Sequence, residues 1–539
     1  MKTADRHAGA VVPLSPRVRA ALAAIVAAGF VLRVVYLLIA VRTPGFTWAD
    51  PDGYLHNALL LVRPDGWHWS FDVAKYDAAG RVYALPALYS IFLSFIALFP
   101  GMPLTAQLAQ IVLSTMAIVL VFALGRYLHS PAAGLWASAA YAASFPNIFN
   151  VWSTSQESLY IPLVLAAFVL YARALVRNAG PAAFAAAGVV LGLAALTRSM
   201  PLFFVAPFLA LHVVVAPDRR AALRQSAACL AGFALVVVPY CIALSRELGQ
   251  LTIVDSHTGF RVESEDAGSQ APGLSNTAGA LWNLIAADPP GFARSVGERI
   301  RTLFYVNGGR LLQIYVVAGN EATALVWKVL VHIGTDLLLL AATVLVWPGA
   351  VLCRNVRLAL VLLCWAAVNV AIAGLSGFGG ARLRAPFEPM LLVIGAVVLA
   401  GAWKRRPLTL VAASVLCAAG AALIVVPQLP RSVRSWPDYG VEWPSVLDRR
   451  AGVIRGRGAL NVPAFNGTAS MRLDPMSPPH PVQVDVRADG VTVRSVRLER
   501  ETEAIAWPWP RRGLAFAELV ARDVETARPA AIRIEVGRR

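Results

Sequence analysis

Residues 86–99 read PALYSIFLSFIALF. The run is apolar enough for a bilayer, but as a helix these 14 residues reach only about 21 Å against a hydrocarbon core of about 30 Å. It is too short to cross comfortably, and whether it crosses decides how the rest of the chain is threaded. Stretches long enough to span, or nearly so, lie at 20–41, 103–125, 131–150, 157–176, 181–197, 201–216, 226–244, 323–347, 357–376, 386–402 and 407–426, about eleven in all. If 86–99 lies in the interface, the basic N-terminus, Arg126, Arg173 with Arg177, Arg219 with Arg220 and Arg224, Arg354 with Arg357, and Lys404 with Arg405 and Arg406 all fall on one side. Short loops rich in Lys and Arg are cytoplasmic. If 86–99 crossed, every later cluster would face outward, against the basic N-terminus. The interfacial reading therefore puts residues 1–19 in the cytoplasm and three segments outside: 42–102, 245–322 and the tail from 428.

Composition agrees with this threading. Of 539 residues, 58% are hydrophobic and 15% charged, against about 25% charged in an ordinary soluble domain; a soluble enzyme is excluded. The net charge of +17 would suggest nucleic acid in a soluble protein. In this chain the excess sits in short loops, where it sets orientation, so no nucleic-acid partner is expected. The run 20–41 lacks a small-residue cleavage site and reads as a retained first helix. Cys229, Cys241, Cys353, Cys364 and Cys417 lie in or beside apolar stretches without CxxC spacing, so neither a disulfide nor a zinc site is expected.

From Pro427 the chain changes character. Alternating runs at Val482–Val486, Val491–Leu498 and Ala531–Val536 are separated by turn signals such as Ala488-Asp489-Gly490. The expected fold is a polytopic α-helical membrane protein with interfacial helices in the first outer loop. Residues 20–427 form its transmembrane catalytic domain, and residues 428–539 form a small periplasmic β-rich domain, read as a sandwich.

The chemistry concentrates where the first helix leaves the bilayer, at Trp48-Ala49-Asp50-Pro51-Asp52-Gly53-Tyr54. Leu55, Ala58, Leu59 and Val62 then follow at the spacing of a short membrane-surface helix. An Asp before Pro is also a good N-cap, which accounts for one acid on local grounds but not for two. Arg198, Arg382 and Arg384 sit at outer helix ends, against the positive-inside trend. An anionic ligand at the membrane surface would explain them, with interfacial snorkelling as the competing reading. Arg33, inside the first span, requires a buried partner or a cavity. Glu157 is either a carboxylate supporting the site or an acid favoured by the macrodipole at a helix start. His56 and His257 have no metal-like companions. No metal motif is recognisable, and the sequence leaves open whether a divalent ion assists.

In order and spacing, residues 20–402 resemble the GT-C membrane glycosyltransferases, in particular family 39, which includes protein O-mannosyltransferases and the aminoarabinose transferase acting on lipid A. The resemblance is carried by Arg33 to Tyr36, Asp50-x-x-x-Tyr54-x-x-x-Ala58, Pro86-x-x-Tyr89, Gly125-Arg126-Tyr127-Leu128, Gln156-Glu157, Leu196-Thr197-Arg198 and the run from Arg382 to Pro389. The tail lies outside it. The resemblance implies an inverting transferase that takes a sugar from a polyprenyl-phosphate carrier at the periplasmic face of a bacterial inner membrane. The acceptor would be a lipid, a glycan or a protein. It carries the catalytic base onto Asp50; Asp52 departs from a single-acid pattern and keeps that assignment open. The substrate-binding set is then Tyr54, Glu157, Arg198, Arg382 and Arg384. An O-antigen polymerase or ligase, or a lipid or solute transporter, is the alternative.

Overall fold

The computed structural model describes residues 13–42, 54–63, 66–69, 86–151, 155–248, 282, 285–286, 288–304, 337–375 and 384–401. In the tail it describes residues 447–448, 453–455, 457–462, 469–473, 481–488, 491–499, 515–526 and 531–536. Asp50, Asp52, Arg382, His257 and the expected span 407–426 lie outside the described residues. The chain divides into two compact units: Met1–Leu37 with Asp52–Tyr305 and Gly334–Pro427, and Leu38–Pro51 with Val306–Ile333 and Gln428–Arg539.

The first unit is helical. Its helices are α1 (Pro16–Arg42), α2 (Tyr54–Leu59), α3 (Leu88–Ala97), α4 (Leu104–Leu128), α5 (Pro131–Ala143), α6 (Phe145–Phe149) and α7 (Glu157–Val176). They continue with α8 (Pro181–Thr197), α9 (Met200–Val214), α10 (Arg219–Leu248), α11 (Pro289–Leu303), α12 (Leu338–Leu352), α13 (Val356–Leu375) and α14 (Glu388–Leu399). Among the described residues, five of these, α1, α4, α7, α10 and α13, are long and apolar enough to cross a membrane. The protein is thus a multi-pass membrane protein. Helix α3, formed by the short apolar run within 86–99, has ten residues, about 15 Å. A hairpin of β1 (Val62–Arg63) and β2 (Gly66–Trp67) follows α2.

One expected span differs in the structure. The stretch 131–150 is broken into α5 and α6, with Ser144 extended between them (ψ 111°). Pro146 has no N–H with which to bond the Ala142 carbonyl one turn earlier, so the helix cannot run through. Of the stretch expected at 323–347, residues 337–347 are described and lead into or lie within α12, which continues to Leu352 with Pro348 inside it.

Lipid-facing and core-facing sides separate along α4. Leu104, Leu108, Val112 and Met116, four residues apart, are each about half exposed, whereas Ala117, Val121 and Leu124 are fully buried. Small residues let backbones meet: a Cβ on Gly188 of α8 would run into the Cys229 carbonyl of α10, and a Cβ on Gly349 into the Ile394 carbonyl. At the centre, the fully buried Trp365 of α13 meets Phe204 edge-on at 4.9 Å and Phe168 at 5.6 Å. Its Nε1–H donates to the Pro386 carbonyl at 2.9 Å, which fixes the turn leading into α14.

The described β-strands of the tail form two four-stranded antiparallel sheets. One contains β3 (Leu447–Asp448), β4 (Val453–Arg455), β6 (Ala469–Leu473) and β10 (Ala531–Val536), in the order β3-β4-β10-β6. The other contains β5 (Arg457–Val462), β7 (Val482–Ala488), β8 (Val491–Leu498) and β9 (Ala515–Asp523), in the order β5-β9-β7-β8. Ala488 pairs with Val491, the register that an Asp-Gly turn signal leads one to expect. Val482 and Val484 are buried while Gln483 is exposed, the alternation of a half-covered strand.

Candidate functional site

Three consecutive residues at the start of α7 organise the site. Glu157, an acid in the first turn of α7, is favoured there by the helix dipole, but it is only 1% exposed and needs partners for its charge. Arg198 Nη1 donates to Glu157 Oε1 at 2.8 Å, and Ser155 Oγ donates to Oε2 at 2.6 Å. Arg198 is the residue that ends α8; its backbone N–H closes the helix on Ala194, and its side chain keeps 13% exposure. Between Ser155 and Glu157, the side chain of Gln156 accepts from Tyr54 OH at 2.7 Å. Tyr54 is the first residue of α2 and lies edge-on to Tyr89 of α3, ring centroids 5.2 Å apart. Tyr89 OH in turn donates to Gln110 Oε1 at 2.6 Å, and Gln110 Nε2 to the Val151 carbonyl at 3.1 Å. Two tyrosine–glutamine bonds therefore hold both short first-loop helices against the bundle.

A second buried polar group lies beside the first. Arg33 of α1 is fully buried and donates from Nε to Ser114 Oγ at 2.7 Å, and from Nη1 to the carbonyls of Gly29 (2.9 Å) and Ala142 (3.4 Å). The Ala142 carbonyl is the one that Pro146 leaves unbonded within the helix. For the buried partner that the sequence requires of Arg33, the described residues supply neutral oxygens and no carboxylate. Arg384 and Glu388 form a buried pair at 3.0 Å, and Glu388 also accepts from Ser144 Oγ at 3.2 Å. A small cavity is walled by Ser114, Tyr141, Asn147, Asn150, Glu157 and Ser158, so members of both groups line one hollow.

These contacts bring together the end of α5, the start of α7, the end of α8 and the start of α14. At the opposite end of the unit, the Asn355 N–H donates to the Leu128 carbonyl, joining the turns that carry Arg126 and Arg354. His212, Tyr171 and Gln225 are hydrogen-bonded near the turns that carry Arg177 and Arg219.

Of the residues proposed from sequence, Tyr54, Glu157 and Arg198 are gathered around Gln156. Arg384 does not line the cavity; it is 1% exposed and engaged by Glu388. Ser114, Ser144, Asn147, Gln110 and Glu388 join the site without having been expected there. Their signal is a polar side chain inside an apolar run, which costs free energy unless it is hydrogen-bonded. Among the described residues, no cluster of three His, Cys, Asp or Glu side chains could hold a metal ion.

This fold and this polar end define a polytopic membrane protein with a buried, ion-paired cluster at one end of the bundle. Residues 84–243, from just before α3 into α10, match the family model described as dolichyl-phosphate-mannose-protein mannosyltransferase. The GT-C resemblance read from scattered motifs is thus carried independently by this segment. No curated protein matches the chain. Among solved structures, the chain is similar to the archaeal oligosaccharyltransferase AglB from Archaeoglobus fulgidus in complex with an inhibitory peptide and a dolichol-phosphate. The identity is 15%, with 79% of this chain and 56% of that chain covered and a TM-score of 0.42. It is also similar to ArnT from Cupriavidus metallidurans bound to undecaprenyl phosphate, at 14% identity, 70% and 59% coverage and a TM-score of 0.45. The chain therefore spans under two thirds of the length of either.

Proposed function

We propose that this protein is a glycosyltransferase that moves a sugar from a polyprenyl-phosphate carrier to an acceptor at the periplasmic face of a bacterial inner membrane. The observation that carries the reading is the Ser155-Gln156-Glu157 hub. One residue of it holds Tyr54, two positions after Asp52 and four after Asp50, and the next holds the guanidinium of Arg198. Tyr54 and the cation are thereby tied to the same three residues. The family description, which names a sugar carried on a lipid phosphate, supports the donor class.

In this mechanism the acceptor hydroxyl attacks the anomeric carbon from the face opposite the phosphate, and its proton passes to the carboxylate of Asp50, with Asp52 as the competing base. The carbon–oxygen bond to the phosphate breaks as the new glycosidic bond forms, with inversion. The polyprenyl phosphate departs with the bonding pair. Arg198, its Nη1 fixed by Glu157, turns its remaining N–H groups to the charge that builds on the phosphate, and Arg382 shares that role. Arg384, also assigned to the phosphate by the sequence, is tied up in its pair with Glu388. The N-terminus is cytoplasmic, since the arginine-bearing turns gather at the end of the bundle away from the hub. Residues 20–427 act as the catalytic domain, and the β-rich tail, 428–539, is periplasmic and contributes to acceptor recognition.

The test is transfer from polyprenyl-phosphate sugars in membranes by the wild type, Asp50→Asn and Asp52→Asn. Loss of transfer in Asp50→Asn, with expression and carrier binding retained, is the expected result. Wild-type turnover by Asp50→Asn removes Asp50 from the mechanism, and loss in Asp52→Asn alone moves the base to Asp52. Mass spectrometry of envelope glycolipids and glycoproteins from a deletion strain names donor and acceptor together.

A further inference from the structure

We propose that Arg384 is a positioning residue that clamps the outer-loop helix α11 to the bundle and passes that docking, through Glu388 and Ser144, to the wall of the cavity that Glu157 lines. What the docking serves rests on the glycosyltransferase reading above; the clamp itself does not.

The observation is an unbroken run of buried hydrogen bonds. Arg384 Nη1 donates to the carbonyl of Leu303, the last residue of α11, at 2.9 Å, and Arg384 Nε to Glu388 Oε2 at 3.0 Å. Ser144 Oγ donates to Glu388 Oε1 at 3.2 Å and accepts from Asn147 Nδ2 at 2.9 Å. The Asn147 carbonyl accepts from Ser114 Oγ at 3.3 Å, and Ser114 Oγ accepts from Arg33 Nε at 2.7 Å. No residue in the series is more than 6% exposed. Each hydroxyl has one bond in and one out, so no link can turn round without stranding a buried donor.

Burial decides what Arg384 can do. Its guanidinium is divided between a carboxylate and a helix-terminal carbonyl, at a place where the last carbonyls of a helix have no partner of their own and a cation is favoured. Helix α11 has a second, apolar fixing. Val296 and Ile300 lie against Gly374 of α13, so close that a Cβ there would come within 3.1 Å of both. Lifting α11 off α13 would break the bond to Leu303 and free Arg384 Nη1 to turn to the Glu388 carboxylate, in competition with Ser144. The Asn147 side chain at the cavity wall would then shift. An acceptor that engages the outer loop is thereby coupled to the cavity through a packed, hydrogen-bonded series of side chains.

The experiment is hydrogen exchange on the full-length protein in nanodiscs, comparing wild type, Arg384→Ala, Arg384→Lys and Ser144→Ala. Arg384→Ala is expected to speed exchange about tenfold both in α11 and in residues 144–151. Ser144→Ala speeds it in 144–151 and leaves α11 as it was. Arg384→Lys keeps a positive charge for Glu388 but not the two-armed reach, and speeds α11 more than 144–151. Unchanged exchange in α11 overturns the clamp; a change confined to α11 overturns the relay. If Arg384→Ala does not fold, Arg384→Lys tests the clamp and Ser144→Ala tests the relay. A transfer assay on the same preparations separates the two proposals. Absence of transfer in the wild type with the exchange pattern intact sinks the glycosyltransferase reading and leaves the clamp standing. If transfer is present, Arg384→Lys lowers kcat while KM for the polyprenyl-phosphate sugar holds.

Discussion

Replacing Arg198 with Ala tests whether the guanidinium held by Glu157 is chemistry or scaffolding. In the wild type the Glu157 carboxylate, 1% exposed, has Arg198 at 2.8 Å and Ser155 at 2.6 Å. Removing the cation takes the charge partner away from a buried carboxylate that keeps its bond to the Ser155 hydroxyl. Breaking a fully buried pair costs about 3–5 kcal/mol, and the 13% exposure of Arg198 argues for the lower end, about 3 kcal/mol. In a chain of this size that lowers the melting temperature by about 3 °C. The double variant Arg198→Leu/Glu157→Leu removes both charges together and should return most of the loss, because well-packed apolar residues replace buried pairs at little cost. Activity should not return with it. Losing one preorganised donor to the departing phosphate costs about 3 kcal/mol in the transition state, a factor of about a hundred or more in kcat. Thermal unfolding followed by tryptophan fluorescence, alongside turnover of a polyprenyl-phosphate sugar, reads both quantities. A double variant that recovers transfer together with stability makes Arg198 a structural partner only. An Arg198→Ala protein as stable as wild type refutes the account of the buried pair.

Three further outcomes follow from particular contacts. Tyr54→Phe removes the 2.7 Å bond to Gln156 but keeps the edge-on ring contact with Tyr89; it should cost about 1 kcal/mol and lower kcat up to about tenfold, and unchanged kcat would show that this bond does not position the first loop. Gly188→Leu puts a side chain where α8 meets the Cys229 carbonyl of α10, so the protein should express poorly and migrate as aggregate in detergent chromatography; a monodisperse peak of wild-type yield contradicts the packing. Trp365→Phe leaves the Pro386 carbonyl without its donor and opens space beside Phe204 and Phe168; the expected destabilisation is about 2 kcal/mol, read as a lower melting temperature, and an unshifted melting curve is the contrary result.

How much of this is legible in the sequence depends on the range of the interaction. Strands β7, β8 and β10 are readable because alternation and an Asp-Gly turn are local properties of the chain, although β7 runs to Ala488, two residues past the expected Val486. The placement of arginines in short turns between apolar helices is readable for the same reason: it needs no knowledge of a helix's neighbours. The break at Ser144 has a local marker in Pro146, but hydropathy passes over a proline in an apolar run. The pairing of Arg384 with Glu388 is one helical turn long and open to inspection. The sequence nonetheless assigns Arg384 to a ligand, because it does not say whether a guanidinium faces a cavity or the core.

The amino-acid sequence by itself determined that this chain is a multi-pass membrane protein with a β-rich tail, where its ionisable groups lie along the chain, and which family its ordered motifs resemble. These follow from transfer free energies and periodicity, which act residue by residue. Only the tertiary structure decided that Tyr54 meets Gln156 across 102 positions, Arg198 meets Glu157 across 41 and Ser144 meets Glu388 across 244. Such partners are chosen by how helices pack, when each buried polar group must take the nearest group able to satisfy it, and no local pattern encodes that choice.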